Sequence, residues 1–176
     1  QAHGNSVQWK IGPDQNTVLS WEQICDSFDA DYYMLAGDEV TFETPGWDKK
    51  FDETKQKYPD GIFCMSMYCG RGQSRLNENV TPVVTKQWRQ ALGYFWGPMF
   101  WHWNVDQWSG DLAKAIDRFE YRSDITVRIK KIKKDPTGLR NRSAGIFNRD
   151  EWTYKRCKEI YFPGDVEKLR RAIKQS

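Results

Sequence analysis

Asp31-Tyr32-Tyr33-Met34-Leu35-Ala36-Gly37-Asp38-Glu39-Val40 decides how the rest of the chain is read. Tyr32 to Ala36 is an unbroken apolar run, too short for a helix and rich in aromatics, which favours a buried strand. Gly37 ends the run and two acids follow at once. In open α/β sheets ligands bind in the crevice outside the carboxyl ends of strands. Asp38 and Glu39 are therefore candidate site residues, although two acids at a strand end can equally be solvated surface. Val40-Thr41-Phe42 continues extended until Thr44-Pro45-Gly46 breaks it.

Working outward toward the amino end, Val7-Gln8-Trp9-Lys10-Ile11 alternates apolar and polar residues as a strand with one buried face does. Thr17 or Ser20 can cap a helix over Trp21 to Phe28, with Trp21, Ile24, Cys25 and Phe28 on one side. Strand, helix and strand in that order suit a parallel βαβ unit. On the other side, Gly46 to Tyr58 reads as an amphipathic helix with Trp47, Lys50, Phe51 and Thr54 sharing a face. Ile62 to Tyr68 reads as a second buried strand, and Gly70 to Asn79 as a polar loop. Thr85 is a fair N-cap for Lys86 to Leu92, with Gly93 as its stop.

Tyr94-Phe95-Trp96-Gly97-Pro98-Met99-Phe100-Trp101-His102-Trp103 is the densest aromatic cluster. Asn104 can cap a helix from Val105 to Phe119, whose apolar stripe is Trp108, Leu112, Ala115 and Phe119. Asp106 opens that helix. A carboxylate there is stabilised by the helix dipole and free amides, and it can equally serve as a general base facing an aromatic cleft. Ser123 to Ile129 alternates as a strand. A final helix, Val166 to Lys174, is capped by Asp165.

Composition narrows the classes. The chain has 176 residues, aromatics at 15% with nine Trp, and a net charge of +3. That length suits one domain. The rings either line a groove for sugars or bases or simply fill the core. Cys25, Cys64, Cys69 and Cys157 lack paired spacing, which speaks against zinc and fits a reducing, cytoplasmic compartment, with one disulfide left open. No signal peptide is visible, and the longest apolar stretch, Ala91 to Trp103, is too broken to span a membrane. Arg128 to Arg142 is strongly basic, either a solvated loop and strand edge or a surface for phosphate or nucleic acid. Nucleic acid is the weaker option, because interleaved aromatics are lacking there.

Asp31 to Asp60, with Trp47-Asp48 and Tyr58-Pro59-Asp60-Gly61-Ile62, resembles the metal-binding strand region of family-2-like glycosyltransferases of the GT-A fold. Trp88 through Arg118 is similar to the acceptor half of that family: a strand–helix entry over Val83 to Leu92, the Gly93 to Pro98 segment, then Asp106-x-Trp108. The resemblance covers roughly Val7 to Val127. It implies an α/β, partial GT-A-like (Rossmann-like) mixed sheet flanked by helices, with a core over 1–132 and a basic helical tail over 133–176. It also implies transfer of a sugar from a nucleotide-sugar to an acceptor hydroxyl, with inversion. Asp38 and Glu39 would hold Mn²⁺ or Mg²⁺, and Asp106 would be the base. Trp47, Trp96, His102, Trp108 and Asp111 would contact substrate.

Two positions depart from the family pattern. Gly37 stands where the first acid of its Asp-x-Asp motif would be, and Arg128-Ile129-Lys130 lacks the histidine that often follows the late strand. Nucleotide-binding units that the family carries ahead of Val7 have no counterpart here, so truncation or completion by a protein partner is expected. The alternative is a catalytically degenerate module that binds carbohydrate or a protein partner, including a structural, virion-associated role.

Overall fold

The computed structural model describes residues 16–37, 39–69, 81–129 and 136–176. Among them are seven helices and five strands. In chain order these are α1 (Thr17–Asp26), β1 (Tyr32–Met34), β2 (Val40–Phe42), α2 (Lys49–Lys57), β3 (Cys64–Tyr68) and β4 (Val83–Thr85). They continue as α3 (Lys86–Leu92), α4 (Val105–Ala115), β5 (Phe119–Ile129), α5 (Pro136–Ser143), α6 (Ile146–Ile160) and α7 (Phe162–Gln175). The strands form one mixed sheet in the order β1-β4-β3-β5-β2, so the α/β expectation holds. The pairs are antiparallel except β3 with β5, which run parallel. The expected Val7–Ile11 strand and the Gly70–Asn79 loop lie outside the described residues.

Side-chain alternation gives the sheet two apolar faces. Tyr33, Cys64 and Val84 point into one core with Val18, Trp88, Phe95, Trp96, Phe100, Trp108 and Leu112. Tyr32, Met34, Met65, Met67, Val83, Ile125 and Val127 point into the other, where Phe51 and Tyr58 at either end of α2 close over them. Helices α1, α3, α4, α6 and α7 contribute to the first core, which is why the carboxyl-terminal helices carry Cys157, Val166 and Leu169 inward. No helix among the described residues is long and apolar enough to cross a membrane.

Several boundaries differ from those expected. α1 starts at Thr17 because Asn16, rather than Thr17 or Ser20, caps it, accepting from the Leu19 amide at 2.8 Å. Ile24 is left 41% exposed, and Val18 is the buried residue. α2 begins at Lys49 rather than Gly46. Thr85 caps α3 and Gly93, at φ 89°, ends it, as the sequence implied. Asn104 does not cap α4 with its side chain, which donates to Glu151 instead. α4 stops at Ala115, not Phe119, because Asp117 turns left-handed at φ 57° and the chain enters β5 four residues earlier than expected. β5 is bulged between Arg122 and Thr126, within its pairing to β3. α5 was not foreseen, and α7 starts at Phe162 with Asp165 inside its first turn.

Arg122 ties α2 to β5. It is 9% exposed and donates to the Lys50 carbonyl (2.6 Å), Thr54 Oγ1 (2.9 Å), Glu53 (2.6 Å) and both oxygens of Asp124. The guanidinium, helped by Lys50, holds the Asp124 carboxyl well below the usual aspartate range. The folded state then binds that proton less readily than the unfolded chain, so the stabilisation is present above about pH 4 and is lost as pH falls further. In urea unfolding measured as a function of pH, Asp124→Asn should flatten the decline below about pH 4. Arg122→Ala should cost about 2–4 kcal/mol at neutral pH, because it strands buried Thr54 and a backbone carbonyl.

Candidate active site

β1, β3 and β5 point the same way, since β1 and β3 are each antiparallel to β4 and β5 is parallel to β3. Their carboxyl ends share one edge of the sheet. α1 leads into β1, and α4 leads through Asp117 into β5, whose first residue pairs with the first of β3. α4 packs against β3 and β5, and the start of α1 meets the turn before α4, where the Val18 amide donates to the Trp101 carbonyl. The segment after β1 crosses the same edge, since β2 begins at Val40 beside Ile129, the last residue of β5. Glu39 thus lies next to the carboxyl end of β5, and Asp106 in the first turn of α4. Asp38 lies outside the described residues.

Glu39 is half-buried and its carboxylate folds back over Gly37. A Cβ at position 37 would come within 2.8 Å of the Glu39 carboxyl carbon and 2.9 Å of one of its oxygens. Gly37 therefore leaves the room that the Glu39 carboxylate uses, and a side chain at 37 would require that carboxylate, the end of a flexible chain, to swing aside. Among the described residues no group of three His, Cys, Asp or Glu is arranged to hold a metal ion. The donors that the sequence offers, Asp38 and Glu39, are hard oxygens of the kind that Mg²⁺ and Mn²⁺ prefer. Donor type fits such a cation, with diphosphate oxygens needed to fill its shell.

Asp106 lies in the first turn of α4, half-buried, and accepts from the Gln107 amide at 2.8 Å. The turn just before it, 101–103, is fixed from below. Asp150, fully buried on α6, accepts from the backbone amides of Trp101 (3.0 Å), His102 (2.9 Å) and Trp103 (2.8 Å). Upstream, Glu22 of α1 accepts from the amides of Phe95 (3.0 Å) and Trp96 (2.5 Å). Burial raises the Glu22 carboxyl above its ordinary value, against the lowering pull of those two amides. Two carboxylates from separate helices thus hold the aromatic segment that delivers Asp106.

The remaining expected contacts separate into rim and core. His102 Nδ1 lies 3.1 Å from Thr17 Oγ1 at the start of α1, and its ring packs near Trp21 and Trp103. Trp47 is half-buried beyond β2, stacked on Phe42 with ring centroids 3.9 Å apart. Trp96 and Trp108, expected to meet substrate, are core residues at 1% and 0% exposure. Their ring faces are taken up by protein, and Trp108 donates from Nε1 to the Tyr94 hydroxyl at 3.0 Å. Asp111 accepts from Tyr154 Oη and from Lys158 (2.7 Å), bracing α4 against α6. Burial and the neighbouring Asp165 push the Tyr94 phenol far above its usual range, keeping it a hydrogen-bond donor.

Glu22 and Asp150 were not singled out from sequence. Asp150 had a signal: Tyr154 and Cys157 follow it at i+4 and i+7, so it shares the inward side of α6. A hollow of about 470 Å³ opens at the opposite, amino edge, lined by Cys25, Asp26, Phe28, Asp29, Lys86 and Arg89 among others. Its cations are already paired, Lys86 with Asp29 and Arg89 with Asp26. Burial pushes the Cys25 thiol up to about 11, which keeps it protonated and unreactive.

The chain matches no family model, no curated protein and no solved structure.

Asp150→Ala should cost about 3 kcal/mol in urea unfolding, because three amides lose a charged acceptor. Asp150→Asn should cost less but still destabilise, since one side-chain oxygen becomes a donor facing backbone donors.

Proposed function

We propose that the chain is a GT-A-like glycosyltransferase domain that moves a sugar from a nucleotide-sugar to an acceptor hydroxyl with inversion. The observation that carries this reading is the common direction of β1, β3 and β5, with the turn bearing Glu39 next to the carboxyl end of β5, the usual ligand position in α/β sheets. The reading requires the first turn of α4, bearing Asp106, to open on that same side. The resemblance of Asp31–Asp60 and Trp88–Arg118 to that family supports it independently.

Asp38 and Glu39 would hold a divalent cation, which would supply positive charge to the departing diphosphate. Asp106 would take the proton from the acceptor hydroxyl as the new glycosidic bond forms. His102 and Trp47 would border the substrates, while Trp96 and Trp108 would support the site from within the core.

A second reading is a module that binds carbohydrate or a protein partner without turnover. It draws on Gly37, whose missing side chain leaves one acid fewer than the family motif.

Thermal unfolding with Mn²⁺ and a panel of nucleoside diphosphates separates the two. Transferase chemistry predicts that metal and nucleotide together raise Tm, since ligands bound only by the folded state stabilise it. Asp106→Asn should keep this shift, because Asn serves a helix start about as well as Asp, while lowering transfer or donor hydrolysis by about 10²–10⁴-fold. No shift with any nucleotide, together with a shift on adding oligosaccharide, would favour the binding module.

A further inference from the structure

We propose that the outward row of α6 is a docking surface for an anionic lipid bilayer. Arg149, Trp152, Arg156 and Ile160 follow one another at spacings of three and four residues, so they line one side of the helix. Asp150 and Cys157 mark the buried side. Trp152 is 68% exposed and Ile160 52%. The Arg149 guanidinium stacks 3.9 Å from the ring of Trp101, itself 37% exposed, which extends the row onto the turn beside α4. Single exposed apolar residues are ordinary. An indole held out between arginines, with an isoleucine further along the same row, is a different pattern.

Charge says what covers it. Residues 136–176 hold ten Lys or Arg against five Asp or Glu, a net of +5, whereas the whole chain is +3. The first 135 residues are therefore slightly acidic, and the basic character is concentrated in the part that carries the row. Two of the five acids, Asp150 and Asp165, are buried and engaged by the protein's own donors. Glu159 pairs with Arg156 at 3.2 Å in an exposed, weak contact.

The outward side of a helix has no groove to track a nucleic-acid strand, and Ile160 offers no ring for a base to stack on. Tryptophan and long cationic side chains suit the headgroup layer, with aliphatic groups reaching the acyl boundary. An anionic leaflet attracts basic segments over about a Debye length. The inference does not depend on the transferase reading.

Cosedimentation of the whole chain with vesicles tests it. Vesicles of phosphatidylcholine containing about a third phosphatidylserine should bind the protein, and pure phosphatidylcholine should not, with binding weakened by salt. Trp152→Ser combined with Ile160→Ser should lower partitioning about tenfold while leaving Tm unchanged, since both side chains are largely exposed. Arg149→Gln and Arg156→Gln should each lower it about fivefold. The proposal is overturned if anionic vesicles fail to bind or if these variants bind as well as the parent. It is equally overturned if the row retains single-stranded polynucleotide instead of vesicles, or if Trp152→Ser abolishes a dimer rather than vesicle binding.

Discussion

Backbone amides in the aromatic stretch between α3 and α4 have no helix or sheet of their own, and two carboxylates from elsewhere satisfy them. Glu22 takes the amides of Phe95 and Trp96, and Asp150 takes those of Trp101, His102 and Trp103. Such groups are costly to bury unpaired. The stretch carries Phe95, Trp96 and Phe100 into the core, so its backbone must follow them inward. Meeting its amides with charged acceptors fixes the path of the chain, and with it where α4 begins. The core on that face, the position of Asp106 and the seating of α6 all follow from the same two contacts.

The second constraint is the direction of the strands. β1, β3 and β5 run the same way and end on one edge. Sheet pairing places the Glu39 turn beside the end of β5, and carboxylate–amide bonding fixes the turn that leads into α4. Arg122, on the opposite face, ties α2 to the bulged β5 and keeps that half in register with the rest. The carboxyl-terminal helices take part in this frame, since Asp150, Tyr154 and Asp165 all bond to residues of the 94–111 region.

What the sequence disclosed depended on whether a signal was local. Thr85 and Gly93 bracket α3 by their own chemistry, and the apolar run at Tyr32–Met34 and the alternation in Ser123–Ile129 needed no distant partner. The strand order did not show in the residues, because β1 pairs with β4 across fifty positions. The run from Trp108 to Phe119 looked like one helix, but a left-handed Asp117 ends it, a conformation that Asp adopts only with help from its surroundings. Nine tryptophans left open whether the rings line a groove or fill the core. Trp88, Trp96 and Trp108 fill the core, and only a packed structure distinguishes a ring that stacks on ligand from one that stacks on protein. Glu22 and Asp150 were not singled out, because their partners are main-chain groups, which composition does not reveal.

Under the proposed transferase reading, one edge of the sheet holds the metal and the nucleotide. Bound Mn²⁺ reports its own position by broadening the NMR signals of nearby nuclei. With Mn²⁺ and a nucleoside diphosphate added, the amides of Gly37 and Glu39 and the His102 ring should broaden first. The amides of Ser27 to Ala30 and of Gly61, at the amino edge, should stay sharp. Broadening centred on the hollow at that amino edge, or none beyond what free Mn²⁺ gives across the whole surface, would contradict the account.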